Sequence, residues 1–256
     1  MFKIALDAGH GIYTRGKRTL ASLDPSETRE WYLHDRICDK VEKNLKKYKD
    51  YALIRVDDTT GASDVSLADR VRKANEFGAQ FYLSVHHNAG VNGGFGGGII
   101  SVAHTNATNQ SLVYQKILYD ELIAATGLSG NRSAPLPLQN LYVLRETTMP
   151  AVLVECGFMD SATDVPIILS EQFAENAAEG ITKALAIIGN LTEKEEEVMN
   201  KFTDISGHYA RSAIEELYNM GVVNGVSDAE FAPDRVATRG EIAVIARNII
   251  RYITGE

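Results

Sequence analysis

The sequence predicts an α/β fold: a mostly parallel sheet flanked by helices, followed by a small helical module. Three observations carry this expectation. Short apolar runs of strand length alternate with amphipathic stretches of about 10–18 residues, the pattern of strand–helix–strand crossovers. Several strand runs end in loops that carry a histidine or a carboxylate. A Glu-rich interruption at 190–200 then separates residues 1–190 from a tail that repeats the helical period twice.

Phe2–Leu6 is an apolar run that opens into Asp7-Ala8-Gly9-His10-Gly11, a buried strand followed by a glycine-rich loop. From Glu30, Leu33, Ile37, Val41 and Leu45 recur every four positions and form the apolar stripe of a helix. Tyr51–Val56 alternates as a strand does. Ser66 can cap a helix running through Asn75 and stopped by Gly78. Phe81–Val85 is a third strand, followed by His86-His87-Asn88, and Ile99–Ala103 is a further strand beyond the glycine-rich stretch 93–98. Gln110–Ala125 reads as a helix ended by Gly127. Leu128–Asn140, with Pro135 and Pro137, reads as a loop. The apolar runs Leu141–Leu144 and Ala151–Val154 flank Met149-Pro150, and Phe173–Ile188 is the last helix of this part.

Composition narrows the function classes. The 256 residues carry a formal net charge of −8, which opposes a nucleic-acid footprint. Residues 1–190 hold 19 basic and 22 acidic side chains, net −3; residues 191–256 hold 7 and 12, net −5. No apolar run approaches the roughly 20 residues of a membrane span. Two cysteines, Cys38 and Cys156, cannot build a disulfide framework or a Cys-rich zinc site. The N-terminus enters a strand at once and shows no secretory pattern. The expectation is a protein made in the cytoplasm that reaches its substrate only after release.

In an open α/β sheet, sites form outside the carboxyl ends of the strands. His10, His86 and Glu155 each follow an apolar strand run. Two imidazoles and one carboxylate are a standard three-ligand set for catalytic zinc, and a free carboxylate beside the fourth position can act as general base. From the residues alone, His10 serves equally well as a turn-stabilising loop residue. Glu27 rivals Glu30. His87 must point away from His86 if the strand continues. Glu155 closes Ala151-Val152-Leu153-Val154, where a charge is costly unless paired or functional. His34 and His104 read as surface residues or as supports behind a site.

At this point the first 188 residues show a resemblance. Leu6-Asp7-Ala8-Gly9-His10-Gly11, Glu30-x-x-Leu33-x-x-x-Ile37, Arg70-x-x-x-Ala74-Asn75, Ser84-Val85-His86-His87-Asn88-Ala89 and Met149-Pro150-Ala151-Val152-Leu153-Val154-Glu155-x-Gly157-Phe158 resemble, in order, the zinc-dependent N-acetylmuramoyl-L-alanine amidases of phage endolysins and bacterial autolysins. The resemblance implies zinc bound by His10, Glu30 and His86, with Glu155 in the place of the catalytic glutamate. It implies hydrolysis of the bond between muramic acid and L-alanine in peptidoglycan. Asn88 and the glycine stretch 93–98 are expected on the substrate side. The segment Ile12–Arg29 is longer than the family pattern, so the Glu30 register rests chiefly on the helix stripe.

The tail resembles one S-layer homology motif: Phe202-Thr203-Asp204-Ile205, His208-Tyr209-Ala210, Gly221-Val222-Val223-Asn224-Gly225, Phe231-x-Pro233-Asp234 and Thr238-Arg239-Gly240-Glu241. That implies binding of a secondary cell-wall polymer, with Arg239 as a contact; without the resemblance, Arg239 simply pairs with Glu241 or caps a helix. The expected organisation is a catalytic domain at 1–190, a linker at 191–200 and a wall-binding module at 201–256. A module of about 50 residues has a thin core, so three copies are expected to associate. Glu195-Glu196-Glu197-Val198-Met199 could be encoded by purine-rich codons resembling a ribosome-binding site, an internal start near Met199 that would supply free modules. The rival expectations are a catalytically silent anchoring protein and a zinc peptidoglycan peptidase.

Overall fold

The computed structural model describes residues 1–194 and 201–254. The segment 195–200, which carries the expected internal start, lies outside the described residues. The chain divides into two compact units, Met1–Glu193 and Lys194–Glu256.

The first unit is built on a five-stranded sheet of order β2-β1-β3-β5-β4. Its strands are β1 (Phe2–Ala8), β2 (Tyr51–Arg55), β3 (Phe81–Asn88), β4 (Ile99–Val102) and β5 (Ala151–Phe158). β2, β1, β3 and β5 run parallel, and β4 pairs antiparallel with β5 at the edge. The helices are α1 (Glu30–Leu45), α2 (Leu67–Phe77), α3 (Asn109–Thr126), α4 (Tyr142–Glu146), α5 (Val165–Ile168) and α6 (Glu171–Gly189). The run Leu141–Leu144 has strand length in the sequence but forms the short helix α4. Its chain is held by turn hydrogen bonds from Leu144 and Arg145 N–H to Leu141 O. Val143 and Leu144 close the core beside α2.

The period of two along each strand sorts the side chains between two cores. Ile4, Leu6, Phe81, Leu83, Val85, Val152 and Val154 face a core shared with α1, α3 and α6. Ala5, Tyr82, Ala151 and Leu153 face the opposite core, shared with α2 and α4. Continuing the alternation carries Asp7, Ser84, His86 and Glu155 to this second face, at the carboxyl ends of three neighbouring strands. Ser66 caps α2 by accepting the Asp69 N–H at 3.1 Å, and Gly78 ends that helix in the left-handed conformation.

The described residues of the second unit form a 3-10 turn (Thr203–Ile205), α7 (Arg211–Asn219) and α8 (Arg239–Thr254). Its core is thin: Phe202, Ile205 and Ile214, with Ala210, Tyr218 and Phe231 packed against them. The Asp204 carboxylate accepts N–H groups of Phe231 and Ala232 and so ties the long loop to the start of the unit. Thr238 and Glu241 form a capping box: the Thr238 N–H donates to Glu241 Oε2 at 2.7 Å and the Glu241 N–H to Thr238 Oγ1 at 3.2 Å. α8 buries none of its residues within the unit. Among the described residues no helix is long and apolar enough to cross a membrane.

Candidate metal centre and active site

The site grows from two chain segments that bend at the end of β1 and before α1. His10 follows β1 in a left-handed conformation, φ +60°, uncommon for a residue with a Cβ. Arg70 holds it there: this buried guanidinium donates to Ala8 O at 2.7 Å and His10 O at 3.0 Å, and pairs with Asp7. Gly9 is required by close approach, because a Cβ at that position would lie 1.9 Å from His86 Cε1.

Glu30 is the first residue of α1, whose start lacks a side-chain cap. Its N–H instead donates to Lys17 O at 3.1 Å. The long segment before it is organised by Asp24, whose carboxylate accepts the Thr19 hydroxyl at 2.7 Å and the N–H groups of Ser26 and Thr28 at 3.0 and 2.9 Å. This loop sends Glu27 outward to pair with Arg18 and turns Glu30 inward, where it is 0 % exposed.

Glu30 Oε1 lies 3.2 Å from His86 Nδ1 and 3.7 Å from His10 Nε2, and it accepts the His87 N–H at 3.3 Å. One ligand atom each from His10, Glu30 and His86 falls within 4.8 Å of the others. The structure thus brings this trio together. The donor set fits zinc: two imidazoles and a carboxylate whose buried Oε2 makes no hydrogen bond among the described residues and lies 3.5 Å from Lys17 Nζ. Burial lowers the His10 pKa to about 4 despite the Glu30 charge, so the ring is a neutral donor at pH 7. Burial would raise the Glu30 pKa, but the His86 hydrogen bond and the surrounding imidazoles outweigh it and keep the group ionised.

Glu155 is the strand partner of His86 in the β3–β5 register. Its Oε2 is buried without a hydrogen-bond partner among the described residues. Burial, opposed by the His86 charge and reinforced by Glu30, pushes its pKa up to about 7. Beside the trio opens a cavity of about 480 Å³, bordered by His10, His86, Ser66, Leu67, Leu141 and Tyr142. Asn88 lies outside the cavity lining, and its Oδ1 accepts the Ala89 N–H at 2.8 Å. The glycine stretch 93–98 is tied down by Asp164 and Asn131 through the Gly98 and Gly97 N–H groups.

Of the two readings of His34, surface residue or support behind the site, the structure fits the second: it is fully buried and its Nε2–H donates to Gly9 O at 2.6 Å. The signal that could have found it is helical, since His34 stands one turn after Glu30 on the same face. The His34 ring lies 5.5 Å from that of His86 and stacks on that of His87 at 6.0 Å. His104 sits in a turn far along the chain, bonded to Asn140. Cys38 and Cys156 are buried free thiols whose pKa values burial raises.

In the second unit, Arg239 stands exposed at the first position of α8. The pairing with Glu241 belongs to Arg235. Arg235, Thr238, Glu241, Asn248, Phe231 and Val244 line a groove of about 610 Å³. The sequence pattern drew attention to Arg239 and not to Arg235, which lies between the Phe231–Asp234 and Thr238–Glu241 pieces of the motif.

The two parts of the chain match two known families. Residues 4–187 match the family described as N-acetylmuramoyl-L-alanine amidase, and residues 201–243 match the S-layer homology domain. The N-acetylmuramoyl-L-alanine amidase CwlM of Bacillus licheniformis is 32% identical over 197 residues, 75% of this chain and 71% of that protein. The endolysin of Bacillus phage SPP1 is 34% identical over 191 residues, 74% of this chain and 66% of that protein. The crystal structure of N-acetylmuramoyl-L-alanine amidase from Clostridium difficile 630 superposes with a TM-score of 0.65 at 28% identity, covering 73% of this chain and 95% of that one.

Proposed function

Because the chain belongs to the N-acetylmuramoyl-L-alanine amidase family, we propose that its first unit cleaves the muramoyl–L-alanine amide of peptidoglycan with zinc held by His10, Glu30 and His86. The observation that carries this is the convergence of those three ligand atoms one strand away from Glu155, whose buried Oε2 has no hydrogen-bond partner among the described residues. Zinc, when bound, supplies Lewis acidity that lowers the pKa of water towards about 7. Glu155 accepts the proton of the attacking water as the oxygen adds to the lactyl carbonyl. It then returns that proton to the L-alanine nitrogen as the C–N bond breaks. His34 and Arg70 hold the Gly9 and His10 backbone in place while this occurs.

The second unit is assigned to a secondary cell-wall polymer, with Arg239 as a contact and the Arg235-lined groove beside it. The S-layer homology match supports this reading. Its thin core and the uncovered apolar residues of α8, such as Ile250 at 60% and Ile253 at 76% exposure, support association of three copies. Likeness to the SPP1 phage endolysin supports a lysin that acts on the wall after release.

Digestion of purified cell wall tests the activity. The expected result is new N-terminal alanine without new reducing ends, abolished by a chelator. New termini elsewhere in the stem peptide would identify a peptidase, and wall binding without cleavage an anchoring protein.

A further inference from the structure

Behind His86 runs a chain of buried hydrogen bonds that no assigned role uses. The ring presents Nδ1 to Glu30 Oε1 at 3.2 Å, and its other nitrogen, Nε2, lies 3.1 Å from Ser84 Oγ. Ser84, 0 % exposed, donates its hydroxyl to Asp7 Oδ2 at 2.7 Å. Tyr82 donates to the same oxygen at 2.8 Å, and Arg70 pairs with Asp7 Oδ1. All of these strand residues lie on one face, because Asp7 faces Ser84 in the β1–β3 register and Tyr82, Ser84 and His86 are two apart.

We propose that Ser84 and Asp7 form a positioning relay for the metal ligand His86. The direction of each bond follows from its acceptor. Asp7 is held ionised by Arg70, so it has no proton to give and must accept from Ser84 and Tyr82. With its hydroxyl proton committed to Asp7, Ser84 offers only lone pairs to the imidazole. His86 therefore donates from Nε2, and Nδ1, which hydrogen-bonds Glu30 Oε1 in the metal-free site, is the nitrogen that gives up its proton and offers its lone pair when a metal binds. The relay selects the tautomer, orients the ring and makes Nδ1 a better donor, as a carboxylate does when it supports a ligating histidine directly. Ser84 is thus a positioning residue and no nucleophile. Arg70 links the relay to the other histidine, since it also binds the His10 carbonyl.

This inference rests on the zinc reading given above, and its test separates the two. Zinc affinity is measured by chelator competition on the full chain, and the His86 Nε2–H by proton–nitrogen NMR of the zinc-loaded protein. Wild type should show a slowly exchanging Nε2–H resonance. Ser84→Ala should lose that protection and bind zinc roughly 10–100-fold more weakly. Ser84→Thr, which keeps the hydroxyl beside an open cavity, should restore both. A wild-type protein without a protected His86 Nε2–H, or a folded Ser84→Ala protein with wild-type affinity, overturns the relay. Wild-type protein that binds no zinc overturns the metal reading instead.

Discussion

His86 and Glu155 are direct partners across the parallel strands β3 and β5, on the same face of the sheet. That register sets the proposed general base beside a proposed metal ligand without any loop having to place it. Glu155→Ala should therefore keep stoichiometric zinc and lose wall-lytic activity by about 10²–10⁴-fold. Metal content and turbidity clearance of wall suspensions check this together; a fully active variant would sink the assigned role.

Metal removal should act on both activity and stability. Dialysis against a chelator is expected to abolish cleavage, and zinc to restore it. A ligand that binds only the folded state at about 100 times its dissociation constant adds about 2.7 kcal/mol. The melting temperature should accordingly rise with zinc in wild type and stay flat in His10→Ala. An unchanged melting temperature in wild type would contradict a built metal site.

Gly9 is the position where backbone and imidazole touch. A Cβ there meets His86 Cε1 at 1.9 Å, so the ring or the β1 loop must shift. Gly9→Ala should cost about 1–3 kcal/mol of stability and displace His86 from Glu30. Thermal unfolding of the metal-free protein, with zinc affinity alongside, measures the two consequences. Wild-type values of both would show that the loop yields easily.

Asp24 gives the first unit an acid-sensitive anchor. Its surroundings would raise its pKa through burial, but the Thr28, Thr19 and Ser26 hydrogen bonds bring it from 3.8 down to about 2. A depressed folded-state pKa contributes stability above the unfolded value, and that contribution is lost as pH falls through the folded value. Asp24→Asn should lower stability near neutrality and show a shallower loss between pH 3.8 and about 2. Denaturant unfolding at several pH values checks this; parallel curves for both proteins would exclude it.

The tail should associate. Light scattering is expected to report a species larger than the single chain, and Ile250→Glu to reduce it. Intact-mass measurement of expressed protein separately shows whether a fragment beginning near Met199 accompanies the full chain. A strict monomer would remove the three-copy arrangement.

Much of the fold was legible in the sequence because local rules suffice for it. The four-residue stripe of α1, the Ser66 cap of α2 and the apolar run of Phe81–Val85 each follow from period, capping or propensity within one segment. The edge position and antiparallel direction of β4 did not, since both depend on pairing with a strand about 50 residues later.

The site divided along the same line. From the order of residues alone, His10, His86 and Glu155 stood out as polar groups ending strand runs, and Glu30 as the start of a helix. The helix stripe beginning at Leu33, read with the resemblance, already favoured Glu30 over Glu27; the structure adds the physical reason, the Asp24-centred loop that turns one inward and the other outward. The bonds of His34 to Gly9 and of Arg70 to His10 needed the packing of α1 and α2 on the sheet, and that of Ser84 to Asp7 needed the sheet register, because each reaches a residue remote in the chain. Sequence determines which residue types are available and which local elements carry them. Only tertiary packing decides which polar groups lose water together, and a buried charge must then find its partners wherever the chain has brought them.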